Sequence, residues 1–253
     1  MKILVPLKRV PDPDTKIRLK ADGSGIDADG VKFSINPFDA IALEEALQQR
    51  DQIGAVEILV VSIGPADCQE QLRAGMAMGA DRALLVRHDA ELDSLAIAKI
   101  LEAIYRREQP DLVLMGKQAI DDDSNQAGQM LAALLGIGQA TFISKLGLGG
   151  GENPSKATCC RETDAGLETI EVTLPAILTA DLRLNEPRYV TALGIMKAKK
   201  KPLEETTAGE LGVDPAPRTR VLKLAAAPGR KAGVRVKTVD ELIQKLRDEA
   251  RVI

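Results

Sequence analysis

The segment from residue 111 to residue 130 combines the side chains and the backbone pattern best suited to binding a ligand. It reads DLVLMGKQAIDDDSNQAGQM. Leu112 to Met115 is a short apolar run, which predicts a strand buried on both faces. Ser124 or Asn125 is then placed to cap a helix that continues through Met130. Free backbone N–H groups at such a helix start attract phosphate, so this pattern predicts a nucleotide site.

Three consecutive carboxylates, Asp121 to Asp123, complicate this interpretation because they repel phosphate. We expect them to point away from the ligand, to bind its ribose or base, or to cap backbone N–H groups. Gly116, which ends the predicted strand, would let a ligand approach the backbone closely. The alternative is an ordinary polar turn, since every α/β protein has such loops between strands and helices.

Other kinds of site are not supported by the residue types. His88 is the only histidine and follows a predicted strand, where we expect an isolated, exposed side chain. A metal site needs several His or Cys ligands, which this sequence does not supply. The sequence also lacks the P-loop motif GxxxxGK[ST], and no dinucleotide-binding motif GxGxxG follows its first strand. Cys159 and Cys160 are adjacent in a predicted strand, so one should face inward as a structural thiol. Without an acid–base pair, we expect a binder or carrier rather than an enzyme.

The composition is that of an ordinary globular protein with few aromatic residues. Of 253 residues 45% are hydrophobic, with three Phe, two Tyr and no Trp, and the net charge is −3. Few stacking rings and a slight negative charge argue against nucleic-acid binding. No apolar run approaches the ~20 residues that span a bilayer, and charge appears too early for a signal peptide. Three cysteines without CxxC spacing indicate a reducing setting, so we expect a cytoplasmic protein that is not integral to a membrane.

Strands and helices alternate along the first half of the chain. Strands are predicted over residues 3–7, 31–35, 56–63, 83–86 and 112–115, and helices over 37–49, 67–78 and 92–107. Asn36 is the expected cap of the first helix, with Pro37 at its first position. This order predicts a doubly wound, mostly parallel, Rossmann-like α/β sheet, which binds ligands at the carboxyl ends of its strands. Residues 9–13 (RVPDP) should form a loop, because two prolines interrupt any ladder.

The second half of the chain has a different pattern. Residues 157–162 and 167–174 flank a turn and predict an antiparallel hairpin, and residues 176–180 predict a further strand. From residue 184 to about residue 233, five prolines and many charges predict an extended arm. A closing helix has Thr238 and Glu241 as a capping box. The predicted domains are therefore an α/β domain, 1–184, and a partner-binding arm, 185–253.

A small apolar group lies beside a basic cluster in the predicted arm. Leu193, Ile195 and Met196 precede four lysines within residues 197–201. Such a group suits docking to an acidic partner with a hydrophobic pocket. The alternative, which the residues alone favour, is a helix whose apolar side chains pack on the protein's own core and whose lysines face solvent.

Five segments, in the same order, resemble the β subunit of electron transfer flavoproteins. They are KRVPDPDTKIRLKADGSG, VKFSINPFDAIALEEA, ILVVSIGPADCQEQLRAGMAMGADRALLV, PDLVLMGKQAIDDDSNQAGQM and LPAILTADLRLNEPRYVTALGIMKAKKK. The last two are highly specific. The resemblance implies a domain that buries structural AMP and a heterodimer with an α subunit that carries most of the FAD site. It also implies electron transfer from acyl-CoA and related dehydrogenases to a quinone oxidoreductase, as in fatty acid oxidation.

Carried over position by position, the resemblance implies AMP contacts at two strand ends, at the start of the first helix and in the acidic loop. These residues are Pro6, Asn36, Pro37, Phe38, Asp39, Ile63, Gly116, Lys117, Gln118, Ala119, Ile120, Asp121, Asp122, Asp123, Ser124, Asn125, Gln126 and Ala127. Leu193 matches the leucine of the family's recognition loop, which anchors in a hydrophobic pocket on the dehydrogenase. The resemblance therefore favours partner binding by Leu193, Ile195, Met196, Lys197 and Lys200, and implies that residues beyond about 205 wrap the α subunit.

One departure from the family and two alternatives complete the interpretation. Some relatives have an aromatic residue near the flavin where this chain has Pro13, which leaves a flavin contact there open. In electron-bifurcating relatives a second FAD replaces AMP, but their loop usually lacks the DDDSNQ run, so AMP is expected here. The geometry of the nucleotide site also fits a stand-alone ATP-binding α/β protein.

Overall fold

The computed structural model describes residues 1–149, 151, 154–229 and 232–253, in two compact units. The first unit comprises residues 1–18 and 27–221, and the second comprises residues 19–26 and 222–253. The strands of the first unit are β1 (Lys2–Pro6), β2 (Arg9–Pro11), β3 (Phe33–Ile35), β4 (Glu57–Gly64), β5 (Arg82–Arg87), β6 (Leu112–Gly116), β7 (Gly138–Gly149), β8 (Lys156–Thr163), β9 (Gly166–Thr173), β10 (Ala176–Ala180) and β11 (Leu203–Thr207). Its helices are α1 (Pro37–Ile53), α2 (Cys68–Met78), α3 (Ser94–Glu108), α4 (Ala127–Leu135) and α5 (Ala192–Ala198).

Nine strands form one sheet in the order β11-β5-β4-β1-β6-β10-β7-β8-β9. The pairs from β11 to β7 are parallel, and β7, β8 and β9 pair antiparallel. Alternate side chains of β1 serve the two faces of the sheet: Ile3 packs in the same cluster as Leu43 of α1, and Leu4 in the same cluster as Ile100 of α3. Helices therefore cover both faces, and the predicted doubly wound, mostly parallel sheet is confirmed.

The antiparallel end of the sheet contains both a confirmed prediction and an unpredicted strand. β8 and β9 form the predicted hairpin, in which Cys159 is buried and Cys160 is half-buried. β7, of twelve residues, was not predicted. Its ladder with β8 shifts register between Ile143 and Lys145, next to Phe142 with a φ of 58°. This bulge interrupts the alternation by which the sequence would otherwise reveal a strand.

The prediction of a loop over residues 9–13 is wrong for its first three residues. β2 and β3 form a separate two-stranded antiparallel ribbon. The Asp12 N–H donates to the Lys32 carbonyl and the Asn36 N–H to the Lys8 carbonyl. The ladder therefore uses alternate residues of this segment, and Pro11 falls between the hydrogen-bonded positions, where no donor is needed.

The prediction of an irregular arm from residue 184 to about residue 233 is wrong where α5 and β11 form. β11 pairs in parallel with β5 at the edge of the sheet, and α5 packs on α2. Arg73 of α2 donates to the carbonyls of Ala198 and Lys201, at 2.7 and 2.8 Å. The division of the chain at residue 184, with a partner-binding role for residues 185–253, stays a prediction.

In its described residues, the second unit has the helix α6 (Val239–Lys245), which is followed by a π-helical turn, Leu246–Ala250. The Thr238 hydroxyl caps it by accepting the Glu241 N–H at 3.2 Å, as predicted, whereas the Glu241 carboxylate accepts the Lys237 N–H instead of the Thr238 N–H. No helix in the described part of the chain has the length and apolar character needed to cross a bilayer.

Candidate functional site

A cavity of about 300 Å³ lies at the carboxyl edge of the sheet. Its walls are the ends of β1, β4, β5 and β6, the starts of α1 and α4, and the inner side of α3. Strand ends meet there because β5, β4, β1 and β6 are parallel neighbours. This is the edge at which doubly wound sheets bind their ligands.

A buried carboxylate, that of Asp39 in the first turn of α1, holds three walls of the cavity together. One of its oxygens accepts the Gly116 N–H at 3.0 Å and the other accepts the Lys8 N–H at 2.8 Å. Burial raises the pKa of Asp39 to about 7, although the backbone donors act in the opposite direction. Because both oxygens are occupied by backbone groups, Asp39 is a structural link and not a free general base.

Gly116 must be glycine for this link to form. A Cβ at this position would lie 2.6 Å from the Phe38 Cβ and 2.9 Å from the Phe38 carbonyl carbon, closer than real Cβ atoms approach. The strand end and the start of α1 therefore touch through backbone. The glycine serves the packing of these two walls, which is a different role from the close ligand approach that the sequence suggested.

Asn36 precedes α1, but its side chain does not cap the helix. Its amide nitrogen donates to the Gln118 carbonyl at 2.8 Å, and its amide oxygen accepts the Ile120 N–H at 3.3 Å. The helix start is instead satisfied by the Asn36 backbone carbonyl, which accepts from Asp39 and Ala40. The expected cap thus fixes the loop after β6, 82 residues later in the chain.

The three aspartates of this loop are neutralised or bonded within the protein. The Lys8 ammonium lies 2.8 Å from an Asp121 oxygen and 2.9 Å from an Asp122 oxygen. Burial alone would lower the pKa of Lys8, but the two carboxylates outweigh it and the pKa is raised. Asp122 also accepts the Ser124 N–H, and Asp123 accepts a hydrogen bond from Gln118. Of the three expected arrangements, the capping of a backbone donor is observed, at Asp122; Asp122 lines the cavity, and pairing with Lys8 compensates its charge.

The helix after this loop begins later than expected. α4 starts at Ala127 with Gln126 at the cap position and no side-chain cap, so the prediction of Ser124 or Asn125 as cap is wrong. Asn125 adopts a φ of 47° and accepts a hydrogen bond from the Gln129 amide. The first N–H groups of a helix have no partner within the helix, and here no side chain caps them. They remain available to an anion.

Thirteen of the eighteen residues that the resemblance implies for AMP line this one cavity. They are Pro6, Asn36, Asp39, Ile63, Gly116, Lys117, Gln118, Ala119, Asp122, Ser124, Asn125, Gln126 and Ala127. Pro37, Phe38, Ile120, Asp121 and Asp123 do not line it. The Lys117 ammonium is drawn to Asp181, at 2.8 Å, and lies over the rings of Phe38 and Phe142. Whether the thirteen bind a nucleotide stays a prediction.

The sequence did not point to the wall formed by the end of β5 and by α3. His88, Asp89, Ala90, Leu92, Ser94, Ile97 and Leu101 all line the cavity. His88 is half-buried, so the expectation of an isolated, exposed histidine is wrong. The rule that ligands bind at the carboxyl ends of strands applies to β5 as it does to its neighbours, and it would have found this wall.

The apolar group of residues 193–196 lies on α5 and faces solvent. Leu193, Ile195 and Met196 are 55%, 50% and 60% exposed, and in α5 only Ala198 is buried. The alternative that these side chains pack on the protein's own core is therefore wrong. Lys197 and Lys200 are also exposed, whereas the Lys201 ammonium donates to the Met76 carbonyl at the end of α2.

Comparison with known proteins identifies the family. Residues 24–211 match the electron transfer flavoprotein domain. The chain is 56% identical over 253 residues to the electron transfer flavoprotein subunit beta of Bradyrhizobium diazoefficiens, and each chain is covered completely. It is 52% identical to the mitochondrial subunit of Arabidopsis thaliana, again over both full lengths, and 48% identical to that of Homo sapiens over 100% of this chain and 99% of the other. The chain belongs to the β-subunit family of electron transfer flavoproteins.

Proposed function

We propose that the chain is the β subunit of a heterodimeric electron carrier and that its cavity holds one structural AMP. The partner α subunit carries most of the FAD site. Electrons pass from acyl-CoA and related dehydrogenases to that FAD and then to a quinone oxidoreductase. The observation that carries the proposal is the convergence of thirteen implied AMP contacts on one cavity in a chain of this family.

The size and the chemistry of the cavity support a mononucleotide. Its volume of about 300 Å³ is at the lower end of the range for ligand pockets. Its two lysines, Lys8 and Lys117, are each paired with carboxylates, so the phosphate would be bound mainly by the N–H groups at the start of α4. AMP needs less positive charge than the longer phosphate chains of ATP or FAD.

The site also supports a structural rather than a catalytic role for the nucleotide. Asp39 is the acid with the most clearly raised pKa at the cavity, and both of its oxygens accept backbone hydrogen bonds. Lys8 and Asp122 are engaged with each other. These three groups are therefore bonded within the protein and are not free for acid–base chemistry. A carrier subunit without its own catalytic residues is the consistent interpretation.

The surface of α5 supports docking to a dehydrogenase. Leu193, Ile195 and Met196 present an exposed apolar group on a helix that α2 holds in place through Arg73. Exposed Lys197 and Lys200 add positive charge next to it. An apolar centre with a polar rim is the usual anatomy of a protein interface, and charges at the rim speed the encounter with a partner of opposite charge.

The second unit supports contact with the α subunit. Its apolar side chains are largely exposed: Leu222 is 81%, Val234 73% and Val239 70% exposed. Apolar residues in a small unit of this kind need another surface to cover them. We propose that the α subunit supplies that surface.

The proposal is tested by denaturing the complex, purified with its α subunit, and by counting the nucleotides that are released. One FAD and one AMP per heterodimer are expected. Two FAD would assign the chain to the electron-bifurcating class instead. Mg²⁺-dependent ATP hydrolysis by the chain alone would favour a stand-alone ATP-binding protein.

A further inference from the structure

The two ends of the cavity differ in chemistry. One end has the uncapped start of α4 together with Lys8 and Asp122. The other end, where β4 and β5 finish on the far side of β1 from β6, is mainly apolar and is lined by Ile63, Pro65 and Ala90, with Ile97 and Leu101 of α3. The first end suits a phosphate, and the second suits the flat, apolar faces of a nucleobase.

His88 lies at the apolar end. It follows β5, and its backbone N–H donates to the Gly64 carbonyl at 3.0 Å, which fixes it against the end of β4. That bond uses only the backbone, and no residue in the described part of the chain forms a hydrogen bond with the ring nitrogens of the half-buried side chain. A neutral imidazole carries one hydrogen-bond donor and one acceptor. The edge of an adenine ring carries both kinds of group as well.

The charged residue at this end makes a phosphate there unfavourable. Asp89 is exposed at the rim, and its carboxylate would repel an anion. At the first end, by contrast, the carboxylate of Asp122 is paired with the Lys8 ammonium. In the described part of the cavity wall, the two lysines belong to the β1 and β6 side.

We infer that His88 contacts the base of the bound nucleotide and orients it with its phosphate toward α4. His88 is not among the residues that the family resemblance implies for AMP. The inference rests on the proposed AMP site and adds to it a contact from the end of β5.

Magnetic resonance tests the contact directly, because His88 is the only histidine in the chain. The full-length chain, labelled with ¹³C-histidine and assembled with unlabelled α subunit, gives one labelled imidazole. After removal of the resident nucleotide, AMP and adenosine should each shift this resonance. An unchanged resonance, at AMP concentrations that equilibrium dialysis shows to be saturating, would overturn the inference. Failure of AMP to bind at all in the dialysis would instead contradict the proposed AMP site.

Substitution tests the orientation. His88→Ala should weaken the binding of AMP and of adenosine by the same factor, about 3–10-fold, as expected for the loss of one hydrogen bond. His88→Asn keeps a donor and an acceptor and should lose less. Lys8→Met, at the other end, should weaken AMP but not adenosine. If His88→Ala weakened only AMP, His88 would lie at the phosphate end and the inferred orientation would be wrong.

Discussion

Asp39 accepts the Gly116 N–H at 3.0 Å across 77 residues of sequence, and this bond closes one side of the candidate nucleotide cavity. The second oxygen of Asp39 accepts the Lys8 N–H. The first turn of α1, the segment after β1 and the end of β6 therefore meet at one carboxylate. A buried polar group destabilises the fold unless it is hydrogen-bonded. Loss of either bond would therefore leave an oxygen of Asp39 and a backbone N–H without a partner at this junction.

Replacing Gly116 with alanine should open this junction. The added Cβ would lie 2.6 Å from the Phe38 Cβ, so the helix start or the strand end must shift and the bond to Asp39 must lengthen or break. We expect the free energy of unfolding of the complex to fall by about 1–3 kcal/mol and the bound nucleotide to be depleted. Denaturant titration and nucleotide release measure the two effects.

Gly209→Ala is the control, since its Cβ would meet only the Thr207 hydroxyl at 3.9 Å. Full stability and full nucleotide content in Gly116→Ala would contradict the role given to this contact.

The pKa of Asp39 predicts a specific pH dependence. Its value in the folded protein is about 7, against an ordinary value of 3.8, so the folded state holds this proton more tightly than the unfolded state does. The contribution of Asp39 to stability is therefore fully present below about pH 4 and is lost as the pH rises to about 7.

The side chain introduced by Asp39→Asn cannot ionise, so the variant should not lose stability through this position as the pH rises from 4 to 7. The stability of the variant relative to the wild type should therefore rise between pH 4 and pH 7, whatever its absolute value. Urea titrations at several pH values measure the difference, and Asp164→Asn, an exposed aspartate in the β8–β9 turn, should show no such trend. A relative stability that stayed flat or fell would show that Asp39 is not held protonated by burial.

From the ion pairs of Lys8 we predict that replacing this residue weakens the binding of a nucleotide's phosphate but not that of its nucleoside. In Lys8→Met the carboxylates of Asp121 and Asp122 lose their cation and face the cavity and its rim uncompensated. We expect AMP to bind roughly fivefold more weakly, a modest effect because this pair is partly exposed, and adenosine to bind unchanged. Adding Asp122→Asn should restore part of the loss. Calorimetry on the complex without nucleotide measures both ligands, and an equal loss for AMP and adenosine would indicate structural damage instead of repulsion.

From the exposure of Leu193 we predict that replacing this residue slows electron transfer but leaves the cofactor content unchanged. Leu193→Ala removes an apolar side chain that is 55% exposed and makes no contribution to the core. Electron acceptance from an acyl-CoA dehydrogenase should slow about tenfold, as for the loss of a moderate hot spot, while the FAD and AMP contents stay the same. Leu167→Ala removes another exposed leucine, from β9, and serves as the control. Unaltered transfer kinetics in Leu193→Ala would exclude Leu193 as the docking anchor.

The sequence revealed those parts of the fold that local pattern determines. β4 and β6 are short, nearly continuous apolar runs because helices cover both of their faces. β11, whose sequence is LEETT, has no such run, and it joins the sheet only because β5 offers an open edge beside it. β7 was also not predicted because its form depends on its neighbours: the bulge that interrupts its alternation arises where the strand pairs with β8 and β10.

The sequence located the candidate site through its strand–loop–helix pattern, but it did not predict which side chains pair there. The strand end at Gly116 and the acidic loop could be located because strand, glycine and polar run are consecutive. The partners of that loop could not, because Lys8 and Asn36 reach it from 113 and 82 residues away. His88 was missed because a single histidine carries no pattern. Its place beside the cavity follows only from the order of strands in the sheet.

The most direct measurement of the central claim is a crystal structure of the complex purified with its α subunit, with the density in the cavity of this chain inspected before any nucleotide is added. We predict one AMP, with its phosphate at the start of α4 and its base between Ile63 and His88. An FAD in the cavity, or an ordered cavity without a nucleotide in a complex that still accepts electrons, would contradict the claim.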